Sequence, residues 1–397
     1  MNSKFTLIIL ICSCVFYDCQ EKTDVDANAA RFLLVAEDAF RQGSYNAALI
    51  LTDSARSYST DLADIYFLRG RVFTKLNRLD RAEQAYQKVV SIDPDYEGAR
   101  FNLGSISFRR GELAEAIEHY RIEQDNHPSA RVLVQIGRAY AGLGEVDNAV
   151  IAYEEAIDLD GKFAAAYMRL GHLFKDSGEI DRALDYATKG QQLEPENLDY
   201  KYFLGSLLLL TGHPEKSLPY LRQIIAHRPW HYWANHNLGQ ALFRVGKEEE
   251  GKRYMKTAEG LQESIQEVEN WRSLAEMNPD QLMLWVNLSN ALRRMGRVDE
   301  ALEALLIALS LDPANLALQN NIANLNLMSG DTVKAIFRYE AILSRDSSLV
   351  DIWLNLGAVY ASAGRTTEAR TAWQNGLKYD PDHVTIKEYL ETLPRDK

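Results

Sequence analysis

Cysteine is almost absent from this chain of 397 residues, and the few cysteines are confined to its amino-terminal end. Cys12, Cys14 and Cys19 are the three cysteines of the sequence, so residues 20–397 can form no disulfide. The fold of those residues therefore has to be held by packing, and the compartment of the protein has to be inferred from other features.

Positive charge is also in short supply. The chain has 44 lysine and arginine residues against 56 aspartate and glutamate residues, which gives a formal net charge of -12. Because phosphate binding needs clustered lysine and arginine, this balance argues against a nucleic-acid partner. An acidic surface mainly implies solubility.

Catalytic and metal-binding motifs are missing as well. Gly239 and Gly246 have six residues between them, which does not fit the spacing of a phosphate-binding loop. His227, His231 and His236 lie close together among tryptophans, but no cysteine or carboxylate joins them at ligand spacing. We therefore expect these histidines to serve packing or the surface, and we predict no enzyme activity, no cofactor and no metal site.

The sequence does contain a period of 34 residues. Each period has a small residue at one fixed position, and we call this residue the mark of the repeat. Successive marks lie 34 residues apart, except for one step of 33 and one step of 50 between Gly239 and Ser289. The marks are Ala36, Gly70, Gly104, Gly137, Gly171, Gly205, Gly239, Ser289, Ala323 and Gly357. A second small residue follows each mark after twelve positions, for example Ala301 after Ser289. Two helices that approach closely at small residues explain this pattern.

The stretch 281–313 shows one period in detail. Trp285, Leu288 and Leu292 recur at steps of three and four, which is typical of an amphipathic helix. Gly296 ends this helix, and a second apolar stretch follows until Pro313 stops it, because proline has no amide donor. The sequence therefore predicts a helical hairpin.

A 34-residue helix-turn-helix period with these small residues and terminal prolines resembles the tetratricopeptide repeat family, over about residues 28–397. The resemblance implies an all-α fold, a right-handed superhelical solenoid of about ten helix-turn-helix repeats. Because each repeat of a solenoid packs on its neighbours, we expect one elongated domain.

The repeats divide the chain into predicted segments. These are a signal peptide or lipoprotein signal (1–19), a polar tether (20–28), repeats one to six (29–229), repeat seven (230–280), repeats eight to ten (281–382), and a capping helix and tail (383–397). Repeat seven is sixteen residues too long, and its apolar spacing predicts an unbroken second helix over about 248–277. This helix is either a spacer packed on its neighbour or a projecting docking arm.

The amino terminus indicates export. Lys4 precedes an apolar run that is too short to span a bilayer as a stable helix. The residues around Cys14 resemble a bacterial lipobox, which implies a lipid anchor on Cys14 and a periplasmic or membrane-anchored protein. A plainly cleaved signal and an uncleaved anchor are the alternatives.

Asparagine recurs two residues before several of the marks. An amide offers a donor and an acceptor, so a row of asparagines can pair with a peptide backbone whatever its side chains. The row resembles the asparagine ladder on the inner surface of the repeat superhelix in O-linked N-acetylglucosamine transferase; the alternative is that asparagine is simply common in this repeat. The predicted peptide-binding residues are Asn237, Asn287, Asn290, Asn321, Asn324, Asn355, Arg293 and Arg294.

These features favour a non-enzymatic scaffold that binds a peptide or protein partner in its concave groove. The alternative is a membrane-tethered envelope assembly or biogenesis factor that acts through its convex face or its long helix. Phe67, Phe101, Met168 and Tyr202 either line an apolar groove in the amino-terminal half or pack between first helices.

Overall fold

A computed structural model of the chain describes residues 27–394, and those residues contain 21 helices and no strand. The first eleven helices are α1 (27–41), α2 (Tyr45–Tyr58), α3 (Ala63–Lys75), α4 (Leu79–Ile92), α5 (Ala99–Arg110), α6 (Leu113–Asn126), α7 (Ala130–Gly142), α8 (Val146–Leu159), α9 (Ala164–Asp176), α10 (Ile180–Leu193) and α11 (Leu198–Leu210). The other ten are α12 (Pro214–His227), α13 (Tyr232–Arg244), α14 (Glu248–Met277), α15 (Leu282–Arg294), α16 (Val298–Leu311), α17 (Leu316–Met328), α18 (Thr332–Arg345), α19 (Val350–Ser362), α20 (Thr366–Leu377) and α21 (Val384–Thr392).

The helices form ten hairpins, each with an odd-numbered first helix and an even-numbered second helix, and α21 follows the tenth. This confirms the predicted all-α repeat fold, while its superhelical hand stays a prediction. The chain divides into two compact units, residues up to Glu263 and residues from Ser264, instead of the one domain expected. The boundary lies inside α14, the helix that carries the sixteen extra residues. Because a repeat packs on its neighbours, an interruption of the 34-residue step is where a stack can divide.

Each hairpin closes on the small residue of its first helix. In repeat four, the ring of Tyr153 on α8 covers Gly137 so closely that a Cβ atom on Gly137 would lie 2.5 Å from Tyr153 Cε1. In repeat eight, the buried hydroxyl of Ser289 donates a hydrogen bond to the Ala301 carbonyl over 2.8 Å. Ala301 is fully buried, so the predicted close approach of the two helices is confirmed.

The turns between first and second helices use left-handed backbone. Gly111, Gly144, Gly178 and Gly212 have φ values between 78° and 81°, and Asn77 adopts 54° in the equivalent turn. A Cβ atom makes this conformation costly for most residues, whereas glycine adopts it freely and asparagine tolerates it. Gly296, the residue that the sequence predicts to end the first helix of repeat eight, has the same conformation with a φ of 79°, so this prediction is confirmed.

The long helix α14 is continuous over 30 residues, as its apolar spacing predicts. In the first unit, Tyr254 packs against the core of repeats six and seven, and Met255 covers Gly239. In the second unit, Val268 and Ala275 are fully buried against repeat eight. The helix is therefore a packed spacer over both parts rather than a free arm.

The two ends of the described chain differ in kind. At the carboxyl end, α21 buries Ile386 against repeats nine and ten, as a capping helix should. At the amino end, α1 already includes residues 27 and 28 of the predicted tether, and Cys14 with the predicted signal lies outside the described residues. No helix between residues 27 and 394 is long and apolar enough to cross a membrane.

Two glycine-to-alanine substitutions should move stability in opposite directions. Gly137→Ala places a methyl group against the buried Tyr153 ring, and overpacking of this kind should lower the free energy of unfolding by about 1–3 kcal/mol. Gly260→Ala, in the open middle of α14 with no neighbour within 4 Å, should raise it by up to about 1 kcal/mol. Urea unfolding followed by circular dichroism measures both, and equal effects of the two substitutions would contradict this account of the contact.

Candidate peptide-binding surfaces

In repeats six and seven, the residue two before one mark meets the residue one after the preceding mark, across neighbouring first helices. Asn237, two residues before Gly239, donates a hydrogen bond from Nδ2 to Ser206 Oγ over 3.1 Å. Ser206 is the residue that follows the mark of repeat six. This contact within the first unit defines how successive first helices meet, and it also shows that the Asn237 amide already has a partner.

The asparagines of the second unit are less engaged. Asn290 and Asn321 are exposed, and Asn287 and Asn355 are half-buried. Within the part of the chain that the structure describes, none of these four amides makes a side-chain hydrogen bond. Because a solvated amide keeps both its donor and its acceptor, these four can pair with a peptide backbone.

The first helix of repeat nine, α17, carries further amides in a more enclosed setting. Asn324 Oδ1 accepts a hydrogen bond from the hydroxyl of Tyr339 over 2.5 Å, so this predicted residue is partly used by the fold. Asn320 Oδ1 is buried and has no hydrogen-bond partner. A buried acceptor without a partner is costly, so a water molecule or a ligand donor would stabilise it.

The two predicted arginines of repeat eight differ in their surroundings. Arg294 donates to Glu267 Oε1 on α14 over 2.6 Å, and this bond holds the pKa of Glu267 below its usual value. Arg293 is exposed and forms no ion pair among residues 27–394. Of the pair, Arg293 is the cation that the fold leaves unpaired.

The aromatic and apolar residues proposed for a groove in the first unit mainly serve packing. Met168 is only 3% exposed, and Phe101 packs on Tyr120. The exception is a cleft of about 470 Å³ in repeats one and two, which Phe67 lines together with Leu34 and Arg71. The packing interpretation therefore holds for most of this set.

The histidine and tryptophan stretch does not gather metal ligands. His231 Nδ1 accepts a hydrogen bond from the Ala234 amide at the start of α13, and His236 contacts Gln240. No group of three or more histidine, cysteine, aspartate or glutamate residues that could hold a metal ion occurs between residues 27 and 394. Trp233 is 57% exposed on α13 and adds an aromatic surface beside Tyr232.

His172 lies on α9 in a crowded cationic part of the first unit. Its ring stacks on Phe203 with 3.7 Å between ring centroids. Burial, reinforced by Lys175 and Arg169, lowers the pKa of His172 to about 4. The histidine is therefore neutral at physiological pH and behaves as part of the core.

Arg138, the residue after the mark of repeat four, is not among the binding residues predicted from the sequence. It is half-buried and its Nη1 donates to Gln135 Oε1 over 2.7 Å, but no carboxylate lies within ion-pair distance in the described part of the chain. Its position after the mark is the signal that could have identified it.

Comparison with known sequences gives one consistent match. Profiles described as tetratricopeptide repeat match residues 63–96, 93–131, 130–163, 168–229, 283–315 and 335–383. Together these matches cover more than half of the chain and both compact units.

The curated proteins with similar sequences are longer than this chain, and their sequence identity to it is low. The CTR9 homolog of Arabidopsis thaliana is 23% identical over 298 residues, which is 68% of this chain and 27% of that protein. The probable UDP-N-acetylglucosamine–peptide N-acetylglucosaminyltransferase SPINDLY of Hordeum vulgare is 28% identical over 138 residues, 31% of this chain and 15% of that protein. The chain spans 12% to 33% of the length of such curated relatives.

Solved structures are similar to part of the chain at low identity. PilW, a type IV pilus biogenesis factor, is 18% identical with a TM-score of 0.47, and the match covers 54% of this chain and 98% of that chain.

The neutral state of His172 predicts a pH dependence of stability. Its pKa is lower in the folded protein than the ordinary value of about 6.5, so the unfolded chain binds more protons between these two values. The stability from neutral His172 should be complete above about pH 6.5 and decline as the pH falls towards 4. In His172→Gln, the loss of urea resistance between about pH 7 and 5.5 should be smaller than in the wild type. The exposed control His227→Gln should keep the wild-type slope, and equal slopes in all three proteins would contradict the assignment.

Proposed function

Because the chain belongs to the tetratricopeptide repeat family, we propose that it is a non-enzymatic scaffold that binds an extended peptide segment of a partner protein in its concave groove. The proposed surface lies on the first helices of repeats eight to ten, within the second unit. The observation that carries the proposal is the set of four amides on these helices that the fold leaves without side-chain partners.

The chemistry of this surface fits a peptide backbone. Asn287, Asn321 and Asn355 occupy the same place in three successive first helices. Packed helices lie about 8–10 Å apart, which is close to the length of three residues in an extended chain. Successive asparagines would therefore meet about every third peptide unit, and each amide would donate to one carbonyl or accept from one N–H group.

Further residues on the same helices would add selectivity. Arg293 is unpaired and would favour a carboxylate on the partner. Asn290 follows the mark of repeat eight and is exposed, and the buried Asn320 Oδ1 would gain a donor from a bound chain. A backbone-directed row with a few selective contacts predicts broad tolerance of side chains in the partner.

Peptides selected from a random display library should depend on the asparagine row. An intramolecular hydrogen bond contributes about 1 kcal/mol net, so removing two such contacts in Asn287→Ala/Asn321→Ala should raise the Kd of a selected peptide about tenfold or more. Fluorescence polarisation measures the affinity, and circular dichroism should show unchanged helicity.

The matched control is Asn270→Ala, which removes an exposed amide on α14 that already accepts a bond from Gln266. It should leave the Kd within about twofold. Equal affinity of the double variant and the wild type would remove the asparagine row from the proposal. A library that yields no enriched peptide would count against peptide binding as a whole.

The second candidate function is a membrane-tethered envelope assembly or biogenesis factor that acts through its convex face or long helix. The exposed pair Val333 and Phe337 favours this alternative, because the two lie one turn apart on the second helix α18 and are 79% and 60% exposed. The lipobox-like sequence around Cys14 supports the tether and export to the cell envelope.

The tether can be tested at the three cysteines. Expressed with its natural amino terminus in a bacterial host, the wild-type protein should enter the membrane fraction and carry an added diacylglycerol mass on Cys14. Cys14→Ser should move the protein to the soluble fraction, since the lipidated thiol is lost, whereas Cys12→Ser and Cys19→Ser should not. A Cys14→Ser variant that remains in the membrane fraction would exclude this anchor.

A further inference from the structure

Three arginines on the first helices of repeats four and five lack carboxylate partners. Arg131 and Arg138 lie on α7, and Arg169 lies on α9. None of them forms an ion pair between residues 27 and 394, although both Arg131 and Arg169 are exposed. The guanidinium groups of Arg131 and Arg138 instead stack over Phe101 and Phe108, at 4.5 Å and 4.8 Å from the ring centroids.

Arg138 and Arg169 occupy neighbouring positions on successive first helices. Arg138 follows its mark by one residue, and Arg169 precedes its mark by two. The same two positions bring Asn237 and Ser206 within 3.1 Å of each other two repeats later. Burial raises the pKa of Tyr153 to about 12, and Arg169 and Arg138 both oppose this rise, which agrees with guanidinium groups close to this hydroxyl.

Repeats one and two contain an equivalent arginine, stacked on a phenylalanine, and there the arginine has a carboxylate partner. Arg71 follows the mark of repeat two and stacks over Phe40 at 4.4 Å, as Arg138 stacks over Phe108. Arg71 Nη1 donates to both oxygens of Glu37, over 2.9 Å and 3.0 Å, and Glu37 follows the mark of repeat one.

The residue equivalent to Glu37 beside Arg138 is Ser105, which follows the mark of repeat three. Its hydroxyl is engaged by Tyr120 and by the Phe101 carbonyl, so it supplies no negative charge. Arg138 therefore has the aromatic support that Arg71 has, without the anion that Arg71 binds.

Unpaired arginines are unexpected in a protein with an excess of negative charge. The protein carries a net charge of -12, and arginines such as Arg110 and Arg222 pair with nearby carboxylates. Guanidinium groups without counter-charges repel one another, and an added carboxylate would relieve the repulsion through charge-assisted hydrogen bonds. A carboxylate is favoured over a phosphate because the equivalent Arg71 binds the carboxylate of Glu37.

We propose that Arg131, Arg138 and Arg169 form a binding site for an acidic peptide segment, in which a glutamate or aspartate carboxylate binds Arg138 as Glu37 binds Arg71. This inference rests on the proposed scaffold function and adds a second site, in the first unit, with a defined class of ligand. The stacked Phe101 and Phe108 rings hold two of the guanidinium groups in place for that carboxylate.

The test uses three fluorescein-labelled probes: a glycine-serine decapeptide with four glutamates, the same peptide with four glutamines, and single-stranded oligothymidylate. At low salt, the wild-type protein should bind the glutamate peptide at least tenfold more tightly than the glutamine peptide or the oligonucleotide. Equal binding of the two peptides, or tighter binding of the oligonucleotide, would overturn the proposal.

Variants then locate the site. Arg138→Gln/Arg169→Gln should weaken binding of the glutamate peptide at least tenfold. Lys162→Gln/Lys189→Gln removes the same charge from two exposed lysines of the first unit and should change affinity less than twofold. Equal losses in the two double variants would indicate a general charge effect and overturn the proposal.

Ser105→Glu gives an independent measurement that leaves all three arginines in place. It should supply Arg138 with an internal carboxylate and weaken the glutamate peptide at least fivefold, with unchanged helicity. Unchanged affinity in Ser105→Glu would contradict the assigned position of the carboxylate.

The outcome can be separated from that of the proposed function. If library-selected peptides still bind through Asn287 and Asn321 while the glutamate peptide shows no preference, the acidic-peptide site alone is wrong. If neither class of peptide binds, the scaffold function fails as well.

Discussion

The structure depends on one contact that recurs along the chain, in which the backbone of a first helix closely approaches its second helix at a small residue. Gly137 under the Tyr153 ring and Ser289 on the Ala301 carbonyl are two versions of it. A larger side chain at the mark would separate the helices, and dispersion contacts are lost steeply over such gaps. The small residue therefore sets the distance at which every other apolar side chain of the repeat has to pack.

A consequence of this arrangement is that recognition and stability use different sides of the same helix. The marks face the second helix of their own repeat, whereas several of the residues one after and two before them face the neighbouring first helix or solvent. The same outward positions hold an ion pair in Glu37 and Arg71, an amide contact in Asn237, and unpaired amides in Asn287 and Asn321. The side chains beside the marks can differ from repeat to repeat because the packing contact at the mark is kept.

The sequence predicts the fold well because the fold is local. The 34-residue step, the left-handed turn at Gly296 and the packed hairpin of Trp285 all follow from neighbours in the chain. The division into two units does not, because it depends on packing around the extra residues of α14. The candidate site is harder still. The sequence spacing does not predict that Asn237 is bonded to Ser206 or that Arg294 is bonded to Glu267. These partners lie 31 and 27 residues away on other helices.

The same limit explains why Arg138 escapes a search for motifs. Arg138 is notable because no carboxylate of the described residues pairs with it. That lack is recognised only by comparison with an equivalent arginine that does have a carboxylate partner. Glu37 beside Arg71 provides that reference within the chain, with the same stacked phenylalanine beneath the arginine. In a repeat protein, each repeat thus serves as a control for the others. A departure at an outward position with its inward contact intact is therefore better explained by a ligand than by folding.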